Sequence, residues 1–168
     1  MNPADVLIII DMQNGICRQN ELESLDLTHL IQQINDRVQV YRTLKQPIIW
    51  IQHHDDSIQR ETVAWNFLPE LEVNRTIDII IEKDHPDSFH NTRLTAQLNQ
   101  LEAQRLEICG AQVEFCVDTT IKAAFDRGYQ LFMYPNMTTT WDNAWMSAKQ
   151  TQKFYENIWQ NTFVSGLA

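Results

Sequence analysis

The sequence predicts a doubly wound α/β domain, and three observations predict it. Short aliphatic runs such as Val6 to Ile10 lack polar alternation, which suits parallel strands buried on both faces. Between these runs lie stretches whose apolar residues recur at helical spacing. One run, Leu106 to Cys109, ends at Gly110 and leads through a tight turn into a helix. Strands alternating with helices make a sheet covered on both faces. At 168 residues, 43% of them hydrophobic, the chain can bury a core of its own. It shows no repeat, low-complexity tract or Gly/Ser linker, so residues 1–168 read as one domain.

The first strand, Val6 to Ile10, stops at Asp11, and Met12-Gln13-Asn14-Gly15 follows as a loop. Leu27, Leu30, Ile31, Ile34, Val38, Tyr41 and Leu44 then define a long amphipathic helix from near Ser24 to Lys45. Pro47 stops it ahead of the second strand, Ile48 to Ile51. The segment from Gln52 to Asn74 has little regular period and reads as a covering loop. Ile77 and Ile79 to Ile81 form the third strand, which ends at Glu82-Lys83. Thr92 precedes a helix carrying Leu94, Leu98 and Leu101, and Leu106 to Cys109 is the fourth strand. A helix from Cys116 to about Arg127 buries Val117, Ile121, Ala124 and Phe125, turns Asp118, Lys122 and Asp126 to water, and ends at Gly128. Leu131 to Tyr134 is a fifth strand closed by Pro135. A helix from Asn143 to Trp159 and a short edge strand at Phe163-Val164 complete the chain.

Composition excludes several partner classes. A net charge of −9 with no basic stripe argues against nucleic acid. The apolar runs are far too short to span a membrane. Three cysteines make no disulfide framework, and no signal-like segment precedes the first strand, so a cytoplasmic location is expected.

The candidate chemistry sits at strand ends, where open α/β sheets bind their ligands. Asp11, Lys83 and Cys116 are a base, a cation and a thiol. Each also has an ordinary reading: a turn cap, a solvated lysine, a small buried hydrophobe. Together they are complementary, because a working thiol needs a group to take its proton and a cation to hold the thiolate. Cys116 at a helix entrance meets the positive end of the helix dipole, while Glu114 and Asp118 push its pKa upward. His53-His54-Asp55-Asp56 clusters metal-binding residue types, but neighbours on an extended chain point apart, which favours a structural or substrate-facing role over a metal site. Trp65 and Phe67 either line a pocket or pack the loop down. Cys109 reads as buried and inert, and Cys17 has no assigned role.

Leu7 to Gln13 (LIIIDMQ), Glu82 to Thr92 (EKDHPDSFHNT) and Ile108 to Ala124 (ICGAQVEFCVDTTIKAA) with Gly128-Tyr129, in this order, resemble the isochorismatase-like cysteine hydrolases. That superfamily includes nicotinamidases and N-carbamoylsarcosine amidases. The resemblance covers nearly the whole chain and extends to the loop from His53 and to Thr139-Thr140-Trp141-Asp142-Asn143. It implies a six-stranded parallel sheet in order 3-2-1-4-5-6, a catalytic triad of Asp11, Lys83 and Cys116, and a thioester intermediate resolved by water. It also implies a cis peptide just before position 113 and an oxyanion turn formed by Gln112, Val113 and Cys116. Gln13, His53, Trp65, Phe89 and Phe115 are the expected substrate pocket, the substrate being a small molecule.

Two departures shape the expectation. Val113 stands where the family usually has threonine, and the metal pattern of nicotinamidases is not reproduced after the second strand. A metal-free, cofactor-free amidohydrolase of a small amide, ureido or imide is therefore expected, forming a homo-oligomer. A non-catalytic ligand-binding member is the alternative. Thiol redox chemistry lacks a Cys-x-x-Cys pair, and a tyrosine-phosphatase reading fails because Lys122 stands where an arginine would clamp phosphate.

Overall fold

The computed structural model describes residues 3–167. In chain order the elements are β1 (Val6–Ile10), α1 (Asn14–Cys17), β2 (Arg18–Gln19), β3 (Leu22–Glu23), α2 (Leu27–Thr43), β4 (Ile48–His53), β5 (Ile79–Lys83) and α3 (Leu94–Gln100). They continue with β6 (Arg105–Ala111), a π-helical turn (Val113–Val117), α4 (Asp118–Asp126), β7 (Gln130–Met133), β8 (Thr138–Thr139), α5 (Ala148–Thr162) and β9 (Val164–Leu167). The sheet runs β5-β4-β1-β6-β7-β9 with every neighbouring pair parallel. In strand-by-strand terms this is the expected order 3-2-1-4-5-6.

β1 explains the two layers. All five of its residues are buried, with Val6, Ile8 and Ile10 in one core and Leu7 and Ile9 in the other. The alternation of side chains along a strand makes one aliphatic run serve both faces. Helix α2 covers the second face through Leu27, Leu30, Ile31, Ile34, Val38 and Tyr41. Leu94 and Leu98 of α3, Ile121 and Ala124 of α4, and Trp159 of α5 cover the first. Each leucine, isoleucine or valine among them contributes about 1.5–3 kcal/mol when fully buried.

Gly110 lets β6 approach β1 at the end that carries the chemistry. Its φ is +124°, and a Cβ there would stand 2.2 Å from the Ile10 carbonyl oxygen. Side chains are excluded on both counts. We expect Gly110→Ala to cost more than about 4 kcal/mol, measured by urea unfolding, because the clash is with backbone that cannot yield. A loss below about 1 kcal/mol would show that the two strand ends can part freely.

Several expectations are corrected. The loop after Asp11 contains α1 and the small β2–β3 hairpin. The long first helix starts at Leu27, and the last helix runs over Ala148–Thr162, where Ser147 and Gln150 form a capping box. Ile77 lies outside β5 and is exposed, and Thr138-Thr139 extends the sheet beside Gly110 and Ala111. In α4, Asp118 is buried rather than solvated because its carboxylate accepts from Trp159 Nε1 at 2.9 Å, whereas Phe125 is exposed, edge-on to Phe163. The cis peptide joins Ala111 to Gln112, one bond earlier than expected. Trp159 is fully buried, while Trp145 and Phe154 are exposed. Among the described residues no helix is long and apolar enough to cross a membrane.

Candidate active site

The carboxyl ends of β1, β4, β5 and β6 converge on one cluster. β1 delivers Asp11, which sits in the left-handed region at φ 51°. Its N–H reaches the Ile51 carbonyl at 3.1 Å, so the chain turns sharply where the strand ends. β5 delivers Lys83, directly beside His53 of β4 in the parallel register. β6 runs through the Ala111–Gln112 bond into the π-helical turn that carries Cys116.

The Lys83 ammonium organises the cluster. Nζ donates to Asp11 Oδ2 at 2.6 Å and to Cys116 Sγ at 3.3 Å, and it meets His53 Nδ1 at 3.2 Å. The side chains of Asp11 and Lys83 are fully buried. Asp11 Oδ1 is buried without a hydrogen-bond partner among the described residues, which leaves a carboxylate oxygen able to accept a proton. Burial pulls the Lys83 ammonium down, but the charges of Asp11 and Cys116 outweigh it and hold it above its ordinary value. Burial, then the Asp11 charge, pushes the Cys116 thiol up to about 12.

At rest an ammonium therefore stands beside a neutral thiol. The expected upward push from Glu114 and Asp118 is replaced by one from Asp11. Those two acids are engaged elsewhere: Glu114 accepts from Thr140 Oγ1 at 2.5 Å, and Asp118 holds Lys122 at 2.7 Å as well as Trp159.

The expected pocket residues part company. His53 is brought against Lys83, with its Nε2 at 3.1 Å from Asp55 Oδ2. Phe115 is 55% exposed on the turn next to Cys116. Gln13 is a buried bracket rather than a substrate contact, donating to the carbonyls of His53 at 2.9 Å and Trp65 at 2.7 Å while accepting from His53 N–H. Trp65 packs against the α2-side core and its carbonyl also receives Gln52. Phe89 belongs to the other core, stacked on Tyr129 beneath the Arg127 guanidinium. In each corrected case packing or a backbone hydrogen bond claims the side chain, which residue type alone does not reveal.

The oxyanion turn is partly committed to itself, since the N–H groups of Phe115 and Val117 both donate to the Gln112 carbonyl. Val113 is buried in the first core. No cluster of three metal-binding side chains occurs among the described residues. His53 points inward to Lys83, His54 outward to Arg60, and Asp55 caps the Ser57 and Ile58 amides, so the consecutive residues diverge as extended chain requires.

All three thiols resist ionisation. Burial is the leading cause for each, lifting Cys17 from 9.0 to about 12, Cys116 likewise, and Cys109 well above its ordinary value. The folded state then keeps protons that the unfolded chain releases above pH 9, so stability falls as pH rises from 9 toward 12. The slope is about 1.4 kcal/mol per pH unit per thiol. Urea midpoints at pH 8, 9 and 10 should decline beyond pH 9; a flat series would show that the thiols ionise freely in the fold.

Fold and site together define a three-layer α/β protein with a buried acid, ammonium and thiol at the carboxyl edge of a parallel sheet. Comparison narrows the class, since residues 5–155 match the isochorismatase domain model. The chain belongs to the isochorismatase family, a family of hydrolases. A crystal structure described as an isochorismatase family protein superposes with TM-score 0.92 at 35% identity, covering 97% of both chains. An isochorismatase from Pseudomonas putida KT2440 superposes with TM-score 0.88 at 26% identity, covering 95% of this chain and 84% of that one. Nicotinamidase 3 of Arabidopsis thaliana is 21% identical over 81% of this chain and 73% of its own length.

Proposed function

We propose that the chain is a cysteine-dependent hydrolase of a small amide, ureido or imide C–N bond, with Asp11, Lys83 and Cys116 as its triad. The observation that carries this reading is a single buried ammonium bridging a carboxylate at 2.6 Å and a thiol sulfur at 3.3 Å. Such a bridge has no obvious purely structural purpose, because burying a pair of ions is weak evidence for stability. A neutral resting thiol suits a step in which proton loss and attack coincide.

In that step Asp11 takes the Sγ proton as sulfur bonds to the carbonyl carbon, and the C=O electron pair moves onto oxygen. We assign the Val113 and Cys116 amides to that oxygen. Collapse re-forms the carbonyl and breaks the C–N bond, and Asp11 returns its proton to the departing nitrogen. Water then attacks the thioester with Asp11 again as base, releasing the acid and restoring the thiol. Lys83 stays protonated throughout, holding Asp11 ionised and stabilising negative charge on sulfur.

The test is intact-protein mass spectrometry after rapid mixing with a panel of small amides, ureides and imides. An acyl adduct on Cys116 that decays with release of acid is expected. Binding of panel members without any adduct or turnover would instead favour a ligand-binding member, for which Val113 in the turn is the motive.

A further inference from the structure

We propose that His53 is a positioning residue for the triad, held by Asp55 in the one tautomer that accepts the third proton of the Lys83 ammonium. This rests on the hydrolase reading above and deepens it by assigning the residue that aims the Lys83 ammonium. The argument begins with proton counting. An ammonium has three N–H donors and no acceptor. Two of them go to Asp11 Oδ2 and Cys116 Sγ, and the remaining neighbour at hydrogen-bond distance is His53 Nδ1 at 3.2 Å. A donor facing Nδ1 requires that nitrogen to be unprotonated, so the ring proton belongs on Nε2.

Nε2 faces Asp55 Oδ2 at 3.1 Å, an oxygen that can only accept while the carboxylate is ionised. Asp55 is kept ionised by its own turn, where Oδ1 accepts from Ser57 N–H at 2.8 Å, Ser57 Oγ at 2.7 Å and Ile58 N–H at 2.8 Å. The His53 side chain is 12% exposed and that of Asp55 44%, so the lock lies on the solvent side of the pair. The charged and titratable groups around it are thus Lys83 of β5, Asp11 of β1, Cys116 of the π-helical turn and Asp55 of its own loop.

The consequence is directional. With three acceptors satisfied, the ammonium cannot rotate, and its other two protons stay aimed at carboxylate and sulfur. A doubly protonated ring would set a donor against a donor and two cations across 3.2 Å, and Lys83 would have to turn away from the geometry that serves Cys116.

The test follows the rate of Cys116 alkylation by iodoacetamide, located by mass spectrometry, in the parent, His53→Leu and His53→Asn. Asparagine places Oδ1 close to where Nδ1 lies and accepts from Lys83 without titrating; leucine accepts nothing. At pH 8 His53→Leu should react about tenfold more slowly, and His53→Asn within about twofold of the parent. The ratio of His53→Asn to parent should rise as pH falls from 8 to 5. Parent-like rates in His53→Leu overturn the proposal, and so does a His53→Asn variant as slow as His53→Leu with a ratio independent of pH. Circular dichroism of each variant identifies loss of fold, in which case Asp55→Asn, which weakens the tautomer lock from the exposed side, supplies the same pH comparison. Asp11→Asn is the control: if it leaves the Cys116 labelling rate unchanged, the hydrolase reading fails, whereas a response to Asp11 with none to His53 defeats only this inference.

Discussion

Cys116→Ala should lower turnover of any substrate found in the amide panel by at least about 10⁴-fold while the protein still folds, because the nucleophile is gone and only binding and oxyanion contacts remain. Folding should survive because Sγ makes one weak hydrogen bond, to Lys83, and its removal leaves the ammonium with Asp11 and His53. Asp11→Asn should cost about 10²–10⁴-fold through loss of the general base. The same variant removes the charge that, after burial, pushes the thiol up to about 12, so the Cys116 thiol should ionise at lower pH in Asp11→Asn than in the parent. Activity and ionisation thus move in opposite senses, with the better-ionised thiol in the slower enzyme. Comparable turnover in Cys116→Ala, or an alkylation profile unmoved by Asp11→Asn, would remove Cys116 from the mechanism.

Lys83→Met should destabilise the protein by about 3–5 kcal/mol, the range for breaking a buried ion pair by deleting one partner. The side chains of Lys83 and Asp11 are both fully buried, and Asp11 Oδ2 has the ammonium at 2.6 Å. Methionine matches the length of the lysine stem but leaves the carboxylate without compensation. A buried lone carboxylate is relieved by taking up a proton, so the deficit relative to the parent should shrink as pH is lowered from 7 toward 4. The double variant Asp11→Asn/Lys83→Met should recover part of the loss at pH 7, since an amide needs no counter-ion. Chemical denaturation at pH 7 and pH 5 reads both effects. A loss under about 1 kcal/mol, equal at the two pH values, would mean that water reaches the pair and screens it.

Burial of the thiols sets an expected alkaline limit on the fold. Above pH 9 the buried thiols are expected to draw the fold toward unfolding. The same burial that makes the ammonium bridge possible causes the alkaline limit, because each thiol is enclosed by the strands and helices that build the carboxyl edge.

The sequence by itself determined the strand order's raw material and the identity of the three central groups. Val6 to Ile10, Ile48 to Ile51 and Leu106 to Cys109 carry no polar alternation, and only burial on both faces accommodates that pattern. Asp11 and Lys83 stand where such runs end, and Cys116 stands just past the turn that follows one, so a parallel sheet had to bring them to the same edge. Local patterns were silent where a distant partner decides the outcome. Thr138-Thr139 joins the sheet because Gly110 and Ala111 lie open beside it. Asp118 is buried because Trp159, forty-one positions later, donates to it. Gln13 and Phe89 were drawn away from the pocket by the His53 and Trp65 carbonyls and by Tyr129 with Arg127. His53, read as structural or substrate-facing, faces Lys83, since parallel register sets those two residues side by side. The thiol's protonation state also belongs to tertiary structure. Asp11 and Lys83 pull it in opposite directions, and burial, which no linear pattern measures, settles the balance toward the neutral form.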